Sequence, residues 1–148
     1  MVPAVPVQRG LGPFVRKGLR LLIVDDHALF RVGMRQILEQ EADMEVVGEA
    51  IDGRSAEDAA QALLPDVILL DIEMPRMDGF DLVRNIRGDE RTKDLPVIMI
   101  TSRIAQKHRD YAAELGVNHY LGKPYDEEQL LSLIAHFTKA AAAAAGRA

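Results

Sequence analysis

From residue 19 onward, short aliphatic runs alternate with longer stretches whose apolar residues recur every three to four positions. Leu21-Leu22-Ile23-Val24, Val46-Val47, Val67-Ile68-Leu69-Leu70, Val97-Ile98-Met99-Ile100 and the segment Asn118 to Leu121 read as five strands. Helical spacing predicts five helices over Leu29 to Gln40, Arg54 to Leu64, Phe80 to Arg87, Gln106 to Leu115 and Glu127 to Phe137. Strict alternation of the two predicts an α/β fold with a parallel sheet covered on both faces, because parallel neighbours need a crossover connection, usually a helix. The first, third and fourth runs are apolar at every position, which places them in the middle of that sheet. Punctuation agrees: Asp52-Gly53 follows the second strand, Pro65-Asp66 introduces the third, Asp78-Gly79 precedes a helix, and Gly116 stands where a helix should end.

Parallel strands bring their carboxyl ends to one edge, so residues far apart in sequence converge there. On that edge the chain carries the pair Asp25-Asp26 after the first strand, Asp71 after the third, Thr101 after the fourth and Lys123 after the fifth. Each has an ordinary reading: Asp25 and Asp26 as helix caps, Asp71 as a loop acid, Thr101 as a good strand residue, Lys123 as a solvated surface lysine. Their joint occurrence on four strands is harder to assign to chance. Three carboxylates at one spot repel unless something positive is present, and a hard divalent cation together with the Lys123 ammonium would meet that need. Such an arrangement suits an aspartate that accepts a phosphoryl group.

Composition narrows the classes. The chain has 148 residues, which fits one domain with its own core. No apolar run reaches the roughly 20 residues of a membrane span. A formal charge of -5 argues against a nucleic-acid surface, and the absence of cysteine suits a reducing compartment. The four histidines, His27, His108, His119 and His136, lack close metal-ligand spacing and are expected at the surface. Residues 1 to 18 are rich in Pro and Gly and read as a flexible leader; residues 139 to 148 form an Ala-rich tail, a frayed continuation of the last helix.

In order along the chain, Val24-Asp25-Asp26, Leu70-Asp71, Met74-Pro75, Asp78-Gly79, Thr101-Ser102 and Lys123-Pro124 match the motifs of one family. From Leu19 to about Phe137 the sequence resembles the receiver domain of bacterial two-component response regulators. The resemblance implies a flavodoxin-like, doubly wound sheet of five strands in the order 2-1-3-4-5 with five helices, the receiver occupying residues 19 to 138. It implies that Asp71 takes a phosphoryl group from the phosphohistidine of a sensor histidine kinase or a histidine phosphotransfer domain. Asp25, Asp26, Asp71 and the backbone carbonyl of Glu73 would hold Mg²⁺, with Mn²⁺ as a substitute. Thr101 and Lys123 would be drawn to the new acyl phosphate, and Tyr120 would fill the space that Thr101 leaves. The face of the fourth helix, fifth strand and fifth helix would then be the bistable element. A cis peptide at Lys123-Pro124 is a further family feature. The resemblance points to a cytoplasmic signalling switch that binds a downstream effector and forms a homodimer through the same face, with no contact to nucleic acid or membrane. Any catalysis would be confined to its own phosphorylation and slow autodephosphorylation.

Glu73, two residues after the acceptor, and Arg103, two after Thr101, are expected to overhang the phosphoryl group and to slow hydrolysis as a pair. A haloacid-dehalogenase-type phosphatase is the competing enzyme reading. It would carry an aspartate two residues after the nucleophile, where this chain has Glu73, and it leaves Asp25-Asp26 without a role. Two further alternatives are a receiver-like module that is never phosphorylated, and a module excised from a longer regulator. The first half is similar to receivers that precede helix-turn-helix output domains, the second to receivers fused to chemotaxis-type hybrid kinases. Either two receivers were joined between Gly53 and Asp71, or one family varies this much.

Overall fold

The computed structural model describes the backbone of residues 18–147 and the side chains of residues 18–137. The leader expected over residues 1 to 18 therefore falls, apart from Gly18, outside the described residues. Strands and helices alternate: β1 (Leu19–Val24), α1 (Ala28–Glu39), β2 (Met44–Ala50), α2 (Gly53–Leu63), β3 (Val67–Leu70), α3 (Gly79–Gly88), β4 (Val97–Thr101), α4 (Gln106–Glu114), β5 (His119–Gly122) and α5 (Glu127–Arg147). The strands form one sheet in the order β2-β1-β3-β4-β5, and every pairing is parallel.

Why runs without alternation became strands is visible in the two cores. Leu22, Val24, Ile68, Leu70, Val97 and Met99 point to one face, where Ala56 and Ala60 of α2, Val83 and Ile86 of α3 and Ala112 of α4 cover them. Leu21, Ile23, Val67, Leu69, Ile98 and Ile100 point to the other, under Met34 and Leu38 of α1 and Leu130 and Ile134 of α5. Successive strand residues alternate faces, so a strand buried on both sides must be apolar throughout.

One strand boundary differs from the sequence reading by more than two residues. The second strand runs seven residues, not two, because it lies at the sheet edge: Met44, Val46 and Ala50 are buried while Glu45 and Glu49 face outward. A register shift opposite Leu21 and Leu22 and a glycine at position 48 blur its pattern further. Glu49 is held by Arg35 at 2.6 Å and Arg31 at 3.0 Å. Burial raises its carboxyl pKa, but hydrogen bonds from these two guanidiniums outweigh that and leave it below the ordinary value. The fifth helix continues past Phe137, in line with the reading of the tail as its continuation. Its backbone continues to Arg147 through the Ala-rich stretch, as high Ala propensity allows. No helix among the described residues is long and apolar enough to cross a membrane.

Arg87, in the last turn of α3, ties three segments together. Its guanidinium donates to the carbonyls of Lys93 at 2.9 Å, Leu95 at 2.7 Å and Gly116 at 2.6 Å. Gly116 has φ 93, and a Cβ there would sit 2.9 Å from Arg87 Nε, so the α4–β5 turn requires glycine twice over. Arg87→Ala is expected to lower stability in urea unfolding by about 2–3 kcal/mol, the range for losing hydrogen bonds to a charged donor and leaving acceptors unpaired.

Candidate functional site

The strand order reverses between β1 and β3, and the site lies just beyond their carboxyl ends. Val24 and Leu70 are register partners, so Asp25 and Asp71 leave adjacent strands side by side. Backbone hydrogen bonds extend the ladder past the last strand residues: Asp71 N donates to Val24 O and Asp25 N to Ala50 O, both at 3.0 Å. On the far side Thr101 pairs with Gly122, and Lys123 N donates to Thr101 O at 2.9 Å. The peptide between Lys123 and Pro124 is cis.

Lys123 Nζ reaches 2.7 Å from Asp25 Oδ2 and 3.3 Å from Asp71 Oδ2. Both carboxylates are buried, and the lysine is only 17% exposed. One ammonium thus serves two acids in a partly dry site, where Coulomb interactions are strong. The same ammonium lies 3.9 Å from the centroid of the Phe30 ring, a cation–π contact that sequence spacing across 93 positions did not reveal. Arg31 was also missed: its guanidinium donates to the Asp25 carbonyl at 2.7 Å.

Asp71 Oδ1 is buried and makes no hydrogen bond among the described residues. Ligand atoms of Asp25, Asp26, His27 and Asp71 lie within 4.8 Å of one another. Buried oxygen without a donor, beside other carboxylates, is what a hard dication satisfies, so the residues fit a Mg²⁺ pocket of the kind receiver domains possess. His27 corrects the sequence reading. It is exposed, as expected, but it has a metal-site partner set, since its Nδ1 meets Asp25 at 3.1 Å and Asp26 at 3.3 Å. Attention to spacing between histidines alone overlooked the adjacent carboxylates. His119 is half-buried, not a free surface residue, against His136 and Phe137.

The loop after β3 reaches across to the segment that follows β4. Glu73 Oε2 lies 3.3 Å from Arg103 Nε, and Glu73 Oε1 accepts from Ser102 Oγ at 3.3 Å. Both side chains are about half exposed. An open cleft of about 430 Å³ is lined by Asp26, His27, Glu73, Met74, Pro75, Asp78 and Arg103. The loop is anchored by Asp78, which caps α3, and by Arg76, which reaches Asp52 at 3.1 Å. Hydrogen bonds from the backbone and hydroxyl of Ser55, reinforced by Arg76, keep the Asp52 carboxyl below its ordinary pKa. Thr101 is fully buried, and its Oγ1 accepts from Arg103 N at 3.3 Å. Tyr120 is half-buried: its hydroxyl donates to the Arg103 carbonyl, and Arg109 lies 5.0 Å from its ring centroid. Burial raises the phenol pKa.

The family model described as the response regulator receiver domain matches residues 21–135. The chain belongs to the response regulator receiver family. The receiver domain of Thermotoga maritima CheB superposes with a TM-score of 0.75 at 32% identity, covering 82% of this chain and 97% of that one. The signal receiver domain of the NarL regulator from Mycobacterium tuberculosis gives a TM-score of 0.78 at 31% identity over 84% of this receiver and 98% of its own length. Among curated relatives, the nitrate/nitrite response regulator NarP of Escherichia coli is 43% identical over 115 residues, 78% of this chain and 53% of NarP. A protein-glutamate methylesterase/protein-glutamine glutaminase of Alkalilimnicola ehrlichii is 41% identical over 109 residues, 72% of this chain and 27% of that protein. The receiver therefore spans about half or less of these relatives. An alignment of 115 residues also crosses the segment between Gly53 and Asp71, so one natural regulator resembles this receiver on both sides of the suspected join.

Proposed function

We propose that this receiver is a phosphorylatable switch in which Asp71 accepts a phosphoryl group from the phosphohistidine of a sensor kinase or phosphotransfer domain. The observation that carries the reading is the double contact of Lys123 Nζ with Asp25 and Asp71, beside a buried Asp71 oxygen that lacks a donor among the described residues. Asp71 is the nucleophile, Lys123 offsets charge on the incoming phosphoryl oxygens, and the attack is in line. Asp25, Asp26, Asp71 and the Glu73 carbonyl would hold Mg²⁺, or Mn²⁺ in its place. When bound, the ion neutralises charge on the phosphoryl oxygens.

After transfer, the Thr101 hydroxyl and Lys123 turn toward the new acceptor oxygens, and Tyr120 follows Thr101. The readout is the face of α4, β5 and α5. Its suitability rests on α4, which buries Ala112 alone and has no side-chain N-cap. Effector binding and homodimer formation are assigned to this face, and a cytoplasmic setting follows from the phosphoryl donor. Because relatives of this receiver include methylesterases several times its length, the output is assigned to a partner or a linked domain rather than to this fold.

Acetyl phosphate with Mg²⁺ is expected to add one phosphoryl group by intact mass, and EDTA to prevent it. No mass gain from acetyl phosphate or from any phosphohistidine donor would refute the reading. Slow turnover of simple phosphate monoesters is the outcome that would favour the dehalogenase-type alternative.

Glu73 and Arg103 are proposed to screen the acyl phosphate from water. The pair is exposed, and such pairs contribute about 1 kcal/mol or less, so Glu73→Gln with Arg103→Gln is expected to speed dephosphorylation by no more than about fivefold. An unchanged rate of phosphoryl loss, followed by mass spectrometry after removal of acetyl phosphate, would dismiss the screen.

A further inference from the structure

We propose that the His27 imidazole is a ligand of the cation pocket, making it a mixed nitrogen and oxygen site that takes a first-row transition dication in preference to Mg²⁺. The inference rests on the reading that Asp25, Asp26 and Asp71 hold a cation.

The geometry is that of one coordination shell. His27 Nδ1 lies 3.1 Å from Asp25 Oδ1 and 3.3 Å from Asp26 Oδ1. An octahedral ion with ligand atoms about 2.1 Å away sets neighbouring ligands roughly 3.0 Å apart, close to the distance of the imidazole nitrogen from each of the two carboxylate oxygens. Asp71 offers a ligand atom within 4.8 Å of the others, and its buried Oδ1 has no hydrogen-bond partner among the described residues. In the tautomer protonated at Nδ1 the ring donates to Asp25 Oδ1 at 3.1 Å, and a cation would take that proton's place between the nitrogen and the two acids.

The backbone holds the ring in place. His27 is the extended N-cap residue of α1, and its N–H donates to Asp25 Oδ1 at 2.8 Å. The side chain makes no cap hydrogen bond to α1 and lines the open cleft, its Nδ1 turned to Asp25 and Asp26. The other histidines are engaged elsewhere: His108 stacks on Phe80, and His119 packs against His136.

An imidazole changes which ions the pocket favours. Mg²⁺ prefers oxygen and sheds water reluctantly, whereas Mn²⁺, Co²⁺ and their heavier neighbours accept nitrogen with rising affinity along the row. The transition ion would occupy the pocket at concentrations where a carboxylate-only site would still hold Mg²⁺.

The test uses the whole chain with Mn²⁺ or Mg²⁺ alone, at about pH 8 where an ordinary imidazole is neutral. Pulsed electron paramagnetic resonance of the Mn²⁺ form is expected to show directly bound ¹⁴N that disappears in His27→Gln and persists in His136→Gln. By calorimetry, His27→Gln should weaken Mn²⁺ at least about tenfold, since losing even a supporting partner of a ligand costs that much, and leave Mg²⁺ within about twofold. Absence of ¹⁴N coupling, or coupling that survives His27→Gln, would overturn the proposal. If Asp26→Asn then weakens both ions, the cation pocket stands and the imidazole is only a hydrogen-bond donor. If Asp26→Asn alters neither, the pocket fails and the ligand assignment fails with it.

Discussion

Asp71→Asn is expected to abolish phosphoryl incorporation while leaving the fold as stable as before or slightly more so. An amide keeps the size and shape of the carboxylate but offers no anionic oxygen to attack phosphorus, so the mass should stay unmodified under conditions where the native chain gains one group. Stability moves the other way because of the charge count. Asp25 and Asp71 share the single Lys123 ammonium at 2.7 and 3.3 Å, both acids being buried. Removing one negative charge relieves repulsion between them, and the remaining pair of Asp25 and Lys123 is balanced. A melting temperature that rises by a few degrees, or holds, would accompany the lost reactivity. A large fall in melting temperature would show that Asp71 stabilises the fold, contrary to this account of the cluster.

Gly79→Ala should have the opposite profile, a damaged fold and slowed chemistry. A Cβ at position 79 would lie 2.5 Å from the Asp71 carbonyl oxygen and 2.8 Å from Ile72 Cα. These are backbone atoms, and Ile72 is fully buried, so neither can turn aside as a flexible side chain would. The existing hydrogen bond from Gly79 N to Ile72 O at 2.8 Å fixes the approach. Urea unfolding is expected to show a loss of about 3 kcal/mol, the range for overpacking a tight interior. The surviving folded protein should accept phosphate more slowly, because the displaced carbonyl belongs to the acceptor residue itself. Gly33→Ala is the matched control. Its Cβ would meet nothing within 4 Å in the middle of α1, so stability should rise by about 1 kcal/mol from helix propensity. Equal behaviour of the two variants would mean that the close approach at Gly79 is not real.

The site was legible because its parts terminate strongly patterned strands. Asp25, Asp71 and Thr101 follow runs that are apolar at every position, Lys123 follows the mixed strand His119-Tyr120-Leu121-Gly122, and topology alone sends all these ends to one edge. Phe30, Arg31 and His27 were not legible in the same way. Phe30 touches Lys123 because α1 and α5 cover the same face of the sheet, and Arg31 reaches the Asp25 carbonyl six residues back through the turn into α1. Nothing in the helical pattern of α1 distinguishes those two positions from ordinary amphipathic ones. The ring of His27 was hidden for another reason: its partners are its immediate neighbours, and only the extended cap conformation turns Nδ1 toward both acids. The length of β2 was hard to read because an edge strand needs one covered face and tolerates Glu45, Gly48 and Glu49.

The sequence by itself determined the α/β alternation, the three central strands and the set of acids, hydroxyl and ammonium at the strand ends, since side-chain period and burial are local consequences of residue order. Tertiary structure alone decided that one lysine serves two carboxylates, that Phe30 packs on that lysine and that an Asp71 oxygen has no donor among the described residues. Those are distances of a few ångströms between elements up to 98 residues apart, and they depend on register and helix placement that no local pattern specifies.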